Sequence, residues 1–194
     1  MTLIYLVRHG QTDWNAASRL QGQIDTPINE RGQAQARRNG ETLKALIGDP
    51  AHFDFVASPL TRTRQTMEII RSVMGLPAGE YRTDPLLKEI HFGEWQGRTW
   101  EELRRERPQE MAARFADPWN TVAPGEGGES YAMLAARALK WLESVTRDTI
   151  AVTHGGINRC LRCHLEDLPR NEVAHLKVPQ DKVLVIDNGK TGWV

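Results

Sequence analysis

Two histidines are the strongest candidates for chemistry, because each follows a short apolar stretch and directly precedes a glycine. His9 comes after residues 3–7 and Arg8, and His154 comes after residues 150–153. A neutral imidazole can act as a nucleophile, a general base or a hydrogen-bond donor. Arg62 follows a third apolar stretch, residues 53–57. Imidazole and guanidinium groups gathered in one place would favour a tetrahedral dianion.

The apolar stretches that precede these residues predict how they are positioned. Residues 3–7, 53–57, 150–153 and 183–186 alternate with segments of helical period, which is typical of an α/β fold with a largely parallel sheet. The carboxyl ends of parallel strands lie along one edge, where ligands bind. Either histidine alone would more often be a structural residue. The repeated pattern predicts instead that His9 and His154 meet at that edge, with Arg62 in the first turn of a helix.

Several helices are predicted between the strands. Ser58 and Pro59 have the form of an N-cap followed by proline at the first helical position. The segment from Thr99 to Glu102 has the form of a capping box, with Pro108 as the expected helix end. Residues 124–128 are expected to form a loop. Three apolar stripes support helices, at Leu60, Thr63, Met67, Ile70 and Met74, at Tyr131, Leu134, Ala138, Trp141 and Val145, and at Ile157, Cys160, Leu161 and His164.

Size and charge limit the classes of function. The 194 residues are expected to form one domain over residues 1–194. Lys plus Arg and Asp plus Glu both number 25, so no net field would attract nucleic acid or an anionic membrane. No stretch approaches the roughly 20 apolar residues of a membrane span, and no signal segment opens the chain. These features favour a cytoplasmic protein and leave the oligomeric state, including a homodimer, open.

The only two cysteines lie in the pattern Cys160-Leu161-Arg162-Cys163-His164. This spacing also occurs at c-type haem attachment sites. Haem attachment requires an exported chain, so we interpret the pattern as accidental and expect a buried or half-buried thiol pair. Two cysteines and one histidine fall short of a zinc site. The sequence therefore predicts no cofactor and no metal.

Longer motifs around these residues resemble those of the histidine phosphatase, or phosphoglycerate mutase-like, superfamily. The segment 6–15, Leu-Val-Arg-His-Gly-Gln-Thr-Asp-Trp-Asn, resembles its signature, and further similarities follow at residues 21–32, 58–66, 87–93, 128–130 and 153–155. The resemblance extends from residue 3 to about residue 160. It implies a three-layer α/β/α sandwich with a mostly parallel central sheet. The departures, Pro59 and Thr63, would remove no catalytic group.

The resemblance also implies roles for individual residues. His9 corresponds to the nucleophile that accepts the phosphoryl group, and Arg8, Arg62 and His154 correspond to groups around the phosphoryl oxygens. Glu89 is expected to be the general acid, and it is preferred to Glu94 because it has the family's spacing to Gly93. Glu129 and Ser130, at a helix start, fit N-capping as well as substrate contact. Further substrate-binding positions are expected at Asn15, Gln21, Gly22 and Gly155.

The implied activity is hydrolysis of a small phosphomonoester through a phosphohistidine, without metal or cofactor. No Walker A loop, Cys-x5-Arg pocket or G-x-S-x-G elbow offers another route. One alternative is transfer of the phosphoryl group, as in a phosphoglycerate mutase, but the short segment between Glu89 and Gly128 lacks the long insertion that shields such an intermediate. A non-catalytic binding module is the other alternative, and it is disfavoured because His9, Arg62, Glu89 and His154 are all present. The identity of the phosphorylated substrate stays open.

Overall fold

A six-stranded sheet forms the centre of the molecule in the computed structural model, which describes residues 2–194. The strand order is β3-β2-β4-β1-β5-β6. β5 is antiparallel to both of its neighbours, whereas the pairs of β1, β2, β3 and β4 are parallel. The strands are β1 Leu3–Arg8, β2 Asp54–Ala57, β3 Arg82–Thr83, β4 Thr149–Thr153, β5 Val183–Asp187 and β6 Lys190–Trp193.

Helices connect the strands and cover both faces of the sheet. The α-helices are α1 Asp13–Ala16, α2 Glu30–Ile47, α3 Thr61–Val73, α4 Trp100–Glu106, α5 Pro108–Ala116, α6 Tyr131–Ser144 and α7 Gly155–Leu165. Short 3-10 helices occur at Pro85–Leu87, Gly93–Trp95 and Arg170–His175.

Alternate residues of β1 belong to two different cores. Ile4 and Leu6 pack in one cluster with residues of α6 and α7, including Trp141. Tyr5 and Val7 pack in the other with residues of α2 and α3, including Met67. Successive side chains of a strand point to opposite faces, so the sheet is buried between two helical layers. The predicted three-layer α/β/α sandwich with a mostly parallel sheet is confirmed.

The predicted start of α3 is wrong. Ser58 and Pro59 precede the helix, which begins at Thr61 after an extended Leu60 that provides no side-chain cap. The cap comes instead from Asp25, whose carboxylate accepts bonds from the Thr61 backbone N–H and hydroxyl, both at 2.7 Å. The Ser58 hydroxyl does not cap the helix and instead forms a hydrogen bond with His154.

Other helix predictions are confirmed with two changes. The capping box at Thr99 and Glu102 is present, and Ser130 caps α6. α4 ends at Glu106, just before Pro108 as predicted, and Pro108 is also the first residue of a further helix, α5, where its missing N–H costs nothing. His164 is exposed, and Cys163 takes the expected place on the buried side of α7.

Within residues 2–194, every helix is too short or too polar to cross a bilayer.

Candidate active site

His9 lies where β1 ends, at the carboxyl edge of the sheet. Its backbone N–H donates to the Thr153 carbonyl of the neighbouring strand at 2.9 Å. The ring Nδ1 lies 2.7 Å from the Gly10 carbonyl oxygen. A carbonyl can only accept, so Nδ1 carries the proton and Nε2 keeps its lone pair. Burial, with Arg62 and Arg8 nearby, holds the pKa of His9 well below 6.5, which keeps the ring neutral at pH 7.

A close approach of two backbones fixes the turn after His9. A Cβ on Gly10 would lie 2.7 Å from the Gly32 Cα in α2, so a side chain larger than hydrogen does not fit. The Gly10 N–H donates to the Thr66 hydroxyl of α3 at 3.1 Å. The turn is thus held by both helices of one layer.

His154 follows β4 and meets His9 as predicted. The two ring centroids are 5.2 Å apart, with the ring planes at 62°. The Nε2 atom of His154 lies 2.8 Å from the Ser58 hydroxyl oxygen, while its Nδ1 is buried without a partner among residues 2–194. Burial and the charge of Arg62 hold the pKa of His154 well below 6.5. A Ser58 hydroxyl that donates to Nε2 leaves Nδ1–H as a donor beside His9.

Arg8 and Arg62 are held by backbone carbonyls. Arg62, fully buried in the first turn of α3, donates to the carbonyls of Gly22 at 2.7 Å and Ile24 at 2.9 Å. Arg8 donates to the Val178 carbonyl at 2.7 Å. Neither forms an ion pair within residues 2–194, and the Nε of each is buried and unpaired. Burial lowers the pKa of each guanidinium to about 10, so both stay charged at pH 7.

Glu89 lies beside the start of α7. One of its carboxylate oxygens accepts bonds from the backbone N–H groups of Gly156 at 3.0 Å and Ile90 at 2.9 Å. Glu94, the rival carboxylate, is instead half-exposed in an ion pair with Arg107 at 2.8 Å. Of the two carboxylates only Glu89 lines the cavity that holds His9, and its role as general acid stays a prediction.

Arg137, which the sequence analysis did not identify, anchors the segment that carries Glu89. Its guanidinium donates to the carbonyls of Leu86 and Glu89, both at 2.8 Å. It also forms an ion pair with Glu129 at 2.8 Å. Glu129 accepts in turn from the His91 N–H, so it supports the loop, and Ser130 caps α6. No local spacing indicates Arg137, because its partners lie far away in sequence.

The four expected substrate-binding positions differ in their surroundings. Asn15, Gln21 and Gly22 line the cavity that also holds His9, and the Gln21 Oε1 accepts from the Thr26 hydroxyl at 2.6 Å. Gly22 has a φ of 55° and presents its carbonyl to Arg62. Gly155 begins α7, but its neighbour Gly156 lines the cavity instead.

His9, Arg8, Arg62 and Glu89 line one cavity of about 400 Å³, the central cavity. His154 is fully buried beside His9, with the two ring centroids 5.2 Å apart. The charged lining is almost entirely basic, with Glu89 its single carboxylate. Trp100 and Phe115 form an aromatic wall, their ring centroids 5.7 Å apart. The arginines of the lining are Arg8, Arg19, Arg62, Arg104, Arg114 and Arg159.

The cysteines lie outside this cavity, and the expected buried thiol pair is confirmed. Cys160 and Cys163 are both buried in α7. Burial raises the pKa of both thiols, which makes them poor nucleophiles and metal ligands. Among residues 2–194, no three His, Cys, Asp or Glu side chains are grouped so as to hold a metal ion.

The chain belongs to the histidine phosphatase superfamily (branch 1), whose family model matches residues 4–194. It is therefore a phosphatase-type enzyme of that superfamily.

Individual relatives agree with the assignment to this superfamily. The chain is 38% identical over 166 residues to a metal-independent phosphoserine phosphatase of Arabidopsis thaliana, covering 83% of this chain and 67% of the relative. It is 31% identical over 198 residues to a probable phosphoglycerate mutase, GpmB, of Photorhabdus laumondii, covering 100% of this chain and 88% of the relative. The solved structure of YhfR from Bacillus stearothermophilus superimposes with a TM-score of 0.82 at 29% identity, covering 99% of this chain and 95% of that one.

Proposed function

We propose that the protein hydrolyses a small phosphomonoester through a phosphohistidine formed on His9. The observation that carries the proposal is the state of the His9 ring. The Nδ1–H of His9 donates to the Gly10 carbonyl, and the ring is neutral. Its Nε2 therefore keeps a lone pair, beside the charged guanidinium groups of Arg8 and Arg62. A neutral nitrogen nucleophile next to unpaired cations is what attack on a phosphate dianion requires.

In the first step, the lone pair of His9 Nε2 attacks phosphorus and the ester P–O bond breaks. Glu89, in its protonated form, gives its proton to the leaving oxygen. Arg8, Arg62 and the Nδ1–H of His154 stabilise the charge on the phosphoryl oxygens. In the second step, water attacks phosphorus, Glu89 takes a proton from it, and the P–N bond breaks. Inorganic phosphate and the neutral His9 ring are regenerated, and Glu89 is protonated again.

Hydrolysis is the outcome we propose rather than transfer to a second acceptor. The segment between Glu89 and Gly128 forms only the 3-10 helix Gly93–Trp95, α4, α5 and turns. It contributes Trp100, Arg104 and Phe115 to the wall of the central cavity. No long insertion covers the cavity within residues 2–194, so water can reach the phosphohistidine. We also propose that residues 1–194 act as one domain in the cytoplasm, where the two thiols would stay reduced.

Trapping of the intermediate tests the proposal. The protein is mixed with a 32P-labelled phosphomonoester, quenched into alkaline denaturant, digested and mapped. The label should be found on His9, and the His9→Ala variant should neither label nor turn over. His164→Ala is the matched control, because His164 is exposed at the far end of α7 and lies outside the central cavity. Full turnover by His9→Ala, or label on another residue, would contradict the proposal.

Assays with and without an added phosphoglycerate acceptor separate hydrolysis from transfer. Release of inorganic phosphate at the same rate in both is the expected result. Label that passes to the acceptor in place of water would instead identify a mutase.

A further inference from the structure

The segment just before β5 contacts three residues of the proposed phosphoryl site, although it lies far from them in sequence. The Val178 carbonyl accepts a bond from Arg8. The side-chain Nε2 of Gln180 lies 3.0 Å from the His9 carbonyl oxygen and 3.3 Å from the Asn15 Oδ1. Gln180 therefore joins the backbone of the proposed nucleophile to a polar side chain of the cavity.

This network fixes which way each amide points. The His9 carbonyl can only accept, so the Gln180 atom beside it must be the NH2 group. The Asn15 atom bonded to that NH2 group must then be an acceptor, its Oδ1. The backbone N–H of Thr12 requires the same assignment independently, since it donates to the Asn15 Oδ1 at 3.2 Å. A flipped Asn15 would place donors against two other donors.

The orientation of Asn15 matters because this residue lines the central cavity. With its oxygen held by Thr12 and Gln180, the NH2 group forms no hydrogen bond to residues 2–194 and is the only polar end left for a ligand. Two N–H donors on a fixed amide suit a phosphoryl oxygen. Gln180 touches none of the reacting atoms, so any influence on the reaction must pass through Asn15 and His9.

Gln180 is itself fixed from behind. Its backbone carbonyl accepts from the Asn39 side-chain NH2 at 3.0 Å, and Asn39 is 1% exposed in α2. The Gln180 side chain, in contrast, is half-buried, and its recorded partners are the polar groups of His9 and Asn15. Its replacement should therefore change the network at little cost in stability.

We propose that Gln180 is a positioning residue that holds the Asn15 amide with its NH2 group toward the phosphoryl group. The inference rests on the proposed function, since it assigns the central cavity to a phosphomonoester. Gln180 also donates to the His9 carbonyl, and this second bond fixes the position of the His9 backbone relative to the Asn15 side chain.

A double-mutant cycle with inorganic phosphate as the probe tests this role. Dissociation constants are measured by calorimetry for the wild type, Asn15→Ala, Gln180→Leu and the double variant. A hydrogen bond to a charged group is commonly worth tenfold or more, so Asn15→Ala should weaken phosphate binding about tenfold to a hundredfold. Gln180→Leu should weaken it about tenfold. The double variant should bind within about twofold of Asn15→Ala alone, because Gln180 has nothing left to orient.

Two further variants keep the test decisive. Gln180→Glu retains the shape but presents an acceptor where the network needs a donor, so it should weaken phosphate binding at least as much as Gln180→Leu. Asp181→Asn, a neighbouring exposed position whose nearest cation, Arg38, is 3.9 Å away, is the control that should bind phosphate normally. Melting temperatures of all variants check that the fold is intact.

Additive losses in the double variant, or unchanged phosphate binding in both Gln180 variants, would overturn the proposal. Phosphate binding requires no covalent intermediate, so the cycle remains informative even if trapping on His9 fails. If the double variant binds phosphate like Asn15→Ala but no label is trapped on His9, the proposed mechanism is refuted and the role of Gln180 still holds.

Discussion

The replacement Gly156→Ala tests the role of Glu89 without changing any charged or polar side chain. Gly156 lies in the first turn of α7, and its N–H donates to the Glu89 carboxylate. An added Cβ would overlap the Glu89 Oε1 and lie 2.7 Å from the Leu134 Cδ2, so the carboxylate must withdraw by about 1 Å. The helical backbone itself accepts alanine, which even favours a helix by about 1 kcal/mol relative to glycine. The contact with Leu134, a buried core side chain, should cost about 1–3 kcal/mol of stability, while the displaced Glu89 carboxylate should lower the rate.

A displacement of about 1 Å at a reacting group can cost about a hundredfold in rate. General acid catalysis contributes most where the leaving oxygen is basic. Gly156→Ala should thus lower kcat by about a hundredfold for glycerol phosphate and by much less for p-nitrophenyl phosphate. Steady-state kinetics on both esters, with thermal unfolding as a check, measures this. For comparison, a Cβ on Gly155 would meet its nearest atoms at ordinary van der Waals distance, 3.5 Å, so Gly155→Ala should lose far less. Equal losses by Gly156→Ala on the two esters would refute the assignment of Glu89 as proton donor.

Glu89→Gln should show the same dependence on the leaving group more strongly, because the amide keeps the volume and loses the transferable proton; a flat loss across a series of aryl and alkyl phosphates would argue against it. The free energy of unfolding should fall on acidification, because folding lowers the pKa values of His9 and His154. Below about pH 6.5 the unfolded chain therefore binds more protons than the folded protein does. The loss should be roughly 1 kcal/mol per pH unit for each imidazole until the folded-state pKa is reached, measured by urea denaturation between pH 7 and pH 5, and His154→Asn should show a shallower slope. EDTA should leave activity unchanged, and a loss that added Mg²⁺ or Zn²⁺ restores would contradict the metal-independent mechanism.

The meeting of His9 and His154 could be predicted from the sequence because it follows from strand geometry. Two apolar strands that end in His-Gly must place those histidines on one edge if the strands run parallel. β1 and β4 are adjacent and parallel, with Arg8 opposite Thr153. The prediction needed only the local pattern and the direction of the strands.

The start of α3 could not be predicted in the same way, because its cap lies far away in sequence. Ser58-Pro59 has the local form of a helix start, yet Asp25 provides the bonds to Thr61 and the Ser58 hydroxyl pairs with His154. A capping preference describes one residue and its next few neighbours. Such a preference contains no information about a carboxylate, here that of Asp25, that lies in a distant part of the sequence.

The buried face of helix α2 carries few large apolar side chains for a related reason. Its buried positions include Ala36, Asn39 and Gly40, since it packs closely on α3, where a Cβ on Gly40 would lie 2.9 Å from that of Val73. Small and polar residues at a close helix contact are less easily recognised in a sequence as a buried face than the large apolar residues of α3 or α6. Arg137 and Gln180 were missed likewise, because their roles consist of long-range bonds to backbone carbonyls and amides.

The way the two central guanidinium groups are held explains how the site can bind a dianion strongly. A carboxylate partner would neutralise Arg8 or Arg62 and would have to be displaced, or would repel the ligand. Backbone carbonyls orient both groups without cancelling their charge. The remaining cost is visible as the lowered pKa of each arginine, about 10, which reports that burial disfavours the cation. In the transition state the charge of the phosphoryl group is spread over its three equatorial oxygens, and two guanidinium groups that are already held in place can stabilise it without reorganising.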